Sequence, residues 1–301
     1  MVDSKRSWKA WIYLSPAILL LLVFTVWPII NTIRMSLLEG YSSMGAAGGI
    51  TYSFGIGNFK QVLEYKDFMK CLGNTMLLCV LTVPISTFLA LLIAVCLNAI
   101  KPLQRLLQTI FFLPYVTNTL AVGMVFMILF QKTEYTDGLV NIIMSAFGMA
   151  PVDFIEGPYW ARMLVLSIYT VWMVMPFKIL VLTSALASVK QDYYNAAAID
   201  GATGKTVFFR ITLPQISPML FYLIITGFIG AFKAYGDAVA IFGEDLNAKG
   251  MNTLVGYIYD MLYGDGGGFP SYASAAAIIL FVIILTVTCI NLTVSKKQSV
   301  V

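Results

Sequence analysis

Asn195-Ala-Ala-Ala-Ile-Asp-Gly-Ala-Thr-Gly-Lys-Thr-Val-Phe-Phe-Arg-Ile-Thr-Leu-Pro-Gln-Ile-Ser-Pro218 is a polar, helix-prone insert between two apolar spans. The spacing predicts a short helix that ends at Asp200-Gly201 and a second that stops at Pro214. Glycine ends a helix sharply because it adopts the left-handed backbone at low cost. Asp200 is positioned to cap the following helix by accepting a backbone N–H. Pro214 and Pro218 are expected to keep the joint separate from the next span. Alanines at 196–198 allow close helix approach, and Ala196, Ala197, Ala202, Phe208, Ile211 and Leu213 suit a groove on another protein. The segment reads as a stiff knob by which a partner moves this chain.

Outward from the insert the chain is built for lipid. It has 301 residues, 59% hydrophobic and 11% charged, where a soluble domain carries about 25% charged residues. Charge-poor runs long enough to cross ~30 Å of hydrocarbon span about Trp11–Ile33, Thr75–Ile100, Leu107–Phe130, Ala161–Ala187, Pro218–Phe242 and Tyr272–Val294. The runs are continuous and lack the alternation of barrel strands. The expected fold class is therefore all-α, a polytopic membrane protein with six transmembrane helices and a single transmembrane domain over residues 1–301.

Six crossings put both termini on one side. Lys5, Arg6, Lys9, Lys101, Arg105, Lys190, Lys205, Arg210, Lys296 and Lys297 fall there, opposed by Asp3, Asp192 and Asp200. The other side carries Asp137, Asp153, Glu156, Glu244, Asp245, Asp260 and Asp265. The positive-inside rule makes the termini and the 195–218 loop cytoplasmic. The first apolar run is too long for a signal-peptide core and lacks a small-residue cleavage site, so it reads as a retained helix. Residues 58–69 are expected to form a short amphipathic helix on the outer surface, beside glycine-rich and aromatic loops at Gly40–Gly57 and Gly264–Phe269.

Several functions are disfavoured. The chain has no histidine, which removes the commonest metal ligand and general base. Cys71, Cys79, Cys96 and Cys289 show no Cys-x-x-Cys spacing and read as small hydrophobes. The net charge of +4 gives no hint of nucleic acid. Gly201-Ala-Thr-Gly-Lys-Thr206 imitates a phosphate loop, but Ile199 stands where its first glycine must be, and the preceding residues are helical in character. No catalytic, cofactor or metal residues are expected. If ATP drives this protein, a separate subunit hydrolyses it.

The insert closely resembles the EAA motif of permease subunits in bacterial ABC importers, which reads Glu-Ala-Ala, two residues, Asp-Gly-Ala, then Leu-Pro. Ala196, Ala197, Asp200, Gly201, Ala202, Leu213 and Pro214 match. Asn195 stands where that family usually has glutamate, which removes a carboxylate from that position. The likeness covers nearly the whole chain: Arg105–Tyr115, Gly256–Tyr259, Tyr272–Ala276 and the first helix with Pro16, Pro28 and Ser36 resemble the carbohydrate branch, of maltose or glycerol-phosphate type. The Gly-Gly-Pro often found after the fifth helix is replaced by Gly243-Glu-Asp-Leu-Asn-Ala.

The resemblance implies a type I importer permease in the bacterial cytoplasmic membrane. It implies as partners a second permease, related but different, two copies of a cytoplasmic ATPase, an extracytoplasmic solute-binding protein and lipid. The solute it implies is a sugar or oligosaccharide, with a polyol, glycerol phosphate or acidic sugar as alternatives. An ion-gradient transporter is the alternative of another class; it predicts intramembrane carboxylates and internal repeats, and only Asp237 lies within the spans. Intramembrane charges mark pathways or partners, which makes Lys178, Lys233 and Asp237, with Tyr235, candidate solute-pathway residues. Lys233 and Asp237 are i, i+4 and expected to pair, with Lys178 alternatively snorkelling to the interface. Tyr115, Tyr169 and Trp172 are candidates for stacking on sugar rings or for anchoring helices.

Overall fold

A computed structural model describes residues 7–41, 52–100, 104–264 and 268–298. Lys5, Arg6, Lys101, Asp3, Asp265 and most of the Gly40–Gly57 stretch lie outside the described residues, as do the side chains of Arg105, Lys296 and Lys297. The chain forms two compact units, Met1–Met69 with Tyr257–Val282, and Lys70–Gly256 with Ile283–Val301.

In the first unit, α1 (Ser7–Leu21), a π-turn (Leu22–Val26) and α2 (Trp27–Ser36) make one continuous span. No residue from Trp11 to Met35 is buried. A two-residue hairpin follows, with β1 (Leu38–Glu39) antiparallel to β2 (Ser53–Phe54). Glu39 then receives the start of α3 (Gly57–Glu64): its Oε1 accepts the Gly57 N–H at 2.7 Å. A carboxylate at a helix N-terminus satisfies an orphan donor and complements the dipole. Asn58 ties the same corner by donating to the carbonyls of Ser36 and Leu38. The amphipathic helix expected over residues 58–69 is thus shorter. Tyr65 takes an extended conformation, and α4 starts at once, running Lys66–Ala99 over 34 residues. At about 1.5 Å per residue it is longer than the hydrocarbon core is thick.

The second unit holds most of the core. α5 (Gln104–Val116) and α6 (Thr119–Phe130) occupy the expected third span but are bent by 95° at Thr117-Asn118. The bend is chemically specified. Asn118 is extended, and its side chain accepts the N–H groups of Leu120 and Ala121, a helix N-cap set in a run that hydropathy reads as unbroken. Next come α7 (Leu139–Ala146) and α8 (Tyr159–Ser188), then α9 (Gln191–Ile199) and α10 (Gly204–Val207). A second π-turn (Phe208–Thr212) leads into α11 (Leu213–Phe232). The expected fifth span also ends early. α11 stops at Phe232, residues 233–235 leave the helix, and α12 (Gly236–Phe242) resumes. α13 (Leu254–Tyr263) and α14 (Pro270–Gln298) complete the order.

Residues 204–232 form one helix through the π-turn, so Pro214 does not stop the second short helix. The π-turn explains why. Leu213 N–H bonds to Phe208 O, an i→i−5 step, and the next residue is Pro214. Widening the turn just before the ring relieves its clash and its missing donor. The same device stands at Leu22–Val26, where Trp27 N–H bonds to Leu22 O and Pro28 follows.

Two apolar clusters hold the second unit. One centres on Phe130, Phe154, Leu166, Tyr169, Ile241 and Met251, the other on Ala90, Ala94, Ile179, Leu182, Ile216 and Leu223. α6 and α12 cross so tightly that a Cβ on Gly123 would lie 2.4 Å from that of Ala240. Five helices are long and apolar enough to cross a membrane, or six spans if the bent α5–α6 pair is one, among the described residues. Cys71 and Cys79 are buried, whereas Cys96 and Cys289 are exposed on the outsides of their helices.

Candidate functional site

The insert folds as a defined joint. α9 ends in paired C-terminal bonds: Ala202 N–H reaches Ala197 O at 2.9 Å, and Gly201 N–H reaches Ala198 O at 3.2 Å. This pairing needs a left-handed residue, and Gly201 supplies it with φ +66°. Nothing lies within 4 Å of a Cβ built on Gly201, so conformation and not space demands glycine there. Ala197, at the bonded turn, is buried, and Ala202 is half-buried. Tyr194 and Thr212 hydroxyls meet at 3.2 Å and tie α9 to the π-turn.

Asp200 does not cap the following helix. It closes α9, its own N–H bonded to Ala196 O, while Thr203 is the cap of α10 and accepts from Thr206 N–H. The hydroxyl lies two residues beyond the glycine turn, where the chain enters the helix; Asp200 lies before that turn. Thr203 was legible as a capping residue type, and the adjacent Asp-Gly pair obscured it. Asn195 is exposed and within 3.4 Å of the Gln191 amide, one turn back. Ala196, Asp200 and Pro214 are also exposed, and Leu213 is half-buried. Between α9 and the following turns lies a groove of about 340 Å³ whose walls include Ala196, Ala197, Asp200, Ala202 and Ile211. Ile199 stands on the knob at 87% exposure.

A cavity of about 370 Å³ lies elsewhere in the second unit, among α4, α5, α8 and α11. Lys178, Lys233, Tyr235 and Asp237 all line it. Its helical walls are periodic. Thr170, Met173, Val174, Phe177 and Lys178 are one face of α8, and Leu223, Thr226, Gly227, Gly230 and Ala231 one face of α11.

The charges are not arranged as a local pair. Lys233 closes α11 outside the helix, so the i, i+4 relation with Asp237 is broken, and no ion pair joins them among the described residues. Asp237 instead accepts from the Thr170 hydroxyl at 3.0 Å. Lys178 does not snorkel: it is 4% exposed, and its Nζ donates to Ser86 Oγ at 2.7 Å, Thr87 Oγ1 at 2.8 Å and Val83 O at 3.4 Å. Ser86 and Thr87 are not among the candidates read from the sequence; a pair of hydroxyls just after Pro84 within an apolar span is the signal that marks them. Tyr115 lines the cavity and stacks on Phe177 at 5.8 Å. Tyr169 is instead core, its hydroxyl donating to Thr119 O, and Trp172 stays outside the cavity lining.

Membrane-length helices, a largely apolar cavity bearing two lysines and an aspartate, and a knob ended by a left-handed glycine are the features expected of a transport permease. Residues 76–299 match the family described as binding-protein-dependent transport system inner membrane component, and the chain belongs to that family. The lactose transport system permease protein LacF of Rhizobium radiobacter is 31% identical over 94% of this chain and 91% of its own length. The arabinooligosaccharides transport system permease protein AraP of Bacillus subtilis (strain 168) is 28% identical over 97% of this chain and 90% of its own. Among solved structures, a bacterial ABC transporter involved in the import of the acidic polysaccharide alginate matches with TM-score 0.81 and 23% identity, covering 97% of this chain and 96% of that one.

Proposed function

We propose that this chain is one permease subunit of an ATP-driven, binding-protein-dependent importer for a sugar or oligosaccharide. It spans the bacterial inner membrane six times, the α5–α6 pair counting as one span, with both termini and the 195–218 joint in the cytoplasm. It works with a second, related permease that completes the pathway, with two copies of a separate ATPase and with an extracytoplasmic solute-binding protein. The cavity bearing Lys178, Lys233, Tyr235 and Asp237 is this subunit's share of the solute path. Asn195, Ala196, Ala197, Asp200, Gly201, Ala202, Leu213 and Pro214 form the coupling segment.

The carbohydrate class rests on family membership and on relatives named for lactose and arabinooligosaccharides. The single observation that carries the coupling role is the joint itself: a helix ended by Gly201 at φ +66°, with Ile199 bare beside it. Beside the groove lined by Ala196, Ala197, Ala202 and Ile211, it extends an apolar surface that suits docking into a partner. A photo-activatable residue at position 199 in the assembled importer should cross-link to the nucleotide-hydrolysing subunit from the cytoplasmic face. Labelling of position 199 only from outside the cell would contradict the proposed orientation and the coupling role together.

A further inference from the structure

Resting on the carbohydrate reading above, we infer that the cavity takes a sugar carrying an anionic group, with the Lys178 ammonium as its anchor. The geometry begins with how Lys178 is held. The Ser86 hydroxyl donates to Thr82 O and the Thr87 hydroxyl to Val83 O, so both turn lone pairs toward the lysine. All of the ammonium's protein partners are therefore neutral oxygens. They orient the charge without cancelling it, and a buried cation without a counter-charge is costly.

The carboxylate on the cavity wall does not supply that counter-charge. Asp237 is engaged by Thr170, eight residues before Lys178 on α8, which places their backbones about 12 Å apart along the axis. With Lys178 and Lys233 against Asp237, the described lining carries two positive groups and one negative. Gly227 keeps the α11 side of Lys178 open, since a Cβ there would lie 3.3 Å from Nζ. The stacked Tyr115 and Phe177 rings on the same wall suit the apolar face of a sugar ring. A carboxylate or phosphate entering this space finds oriented cationic donors, and charge-assisted bonds to an anion are the strong ones.

The test is equilibrium binding to the assembled importer without its binding protein. The probes are trigalacturonate against its carboxyl-reduced counterpart, and glycerol 3-phosphate against glycerol. At least one acid should bind ten-fold or more tightly than its neutral partner, and which pair shows it names the anion. Lys178→Met should abolish that preference and Lys178→Arg retain it, an outcome that a purely helix-clamping lysine would not give. Lys233→Gln, at an exposed helix end, should reduce the preference in a folded protein even if Lys178→Met fails to assemble. Equal binding of acid and neutral sugar overturns the inference and leaves the carbohydrate reading standing. Binding of no probe overturns both.

Discussion

Two glycines show how the same residue type answers different constraints. Gly123 sits where α6 meets α12, and an added Cβ would lie 2.4 Å from Ala240 Cβ and 2.5 Å from its carbonyl oxygen. Because backbone must move to admit it, Gly123→Ala should destabilise the second unit by about 1–3 kcal/mol. Thermal unfolding in detergent should show a clearly lowered midpoint; an unchanged midpoint would mean the helices separate freely. Gly201 faces open space but holds φ +66°. A side chain there costs about 1–2 kcal/mol of local strain without touching the core. Gly201→Ala should therefore lower that midpoint less than Gly123→Ala does, because fraying of the end of α9 relieves the strain, read as faster amide exchange at positions 201 and 202. These two amides make the paired bonds that the left-handed turn permits.

Helix ends and breaks carry the next level of meaning. Asn118 turns one apolar run into two helices at 95° by accepting two N–H groups. Asn118→Ala should cost about 1 kcal/mol and raise exchange at Leu120 and Ala121; unchanged protection would show that packing alone sets the bend. The sequence revealed helix type and approximate extent wherever apolar runs were long, as for α8 and α14. It did not reveal the break at Thr117-Asn118, because uncharged residues scarcely interrupt hydropathy, and at 233–235 Lys233 reads as an intramembrane charge and not as a helix end. Proline misled in the opposite direction. Pro214 looks like a stop, yet like Pro28 it follows a π-turn that carries the helix through. Gly201 was legible because its conformational demand is local. The partners of Lys178 were not, because they lie on α4, about 90 residues away in sequence.

For the whole molecule, the joint and the cavity belong to one folded unit, connected by α11. Residues 204–232 run as one helix from the joint to the cavity wall. A continuous helix therefore joins the knob to the cavity wall, as the proposed coupling requires. The first span, with no buried residue from Trp11 to Met35, leaves its apolar surface to lipid or, in the proposed assembly, to a second permease. The proposed role of the 195–218 joint is to couple a separate ATPase to movement of solute. Its most direct test uses Gly201→Arg in proteoliposomes holding the complete importer. The predicted result is an assembled complex that still hydrolyses ATP but accumulates no solute. Solute accumulation at the unmodified rate in that variant would contradict that role.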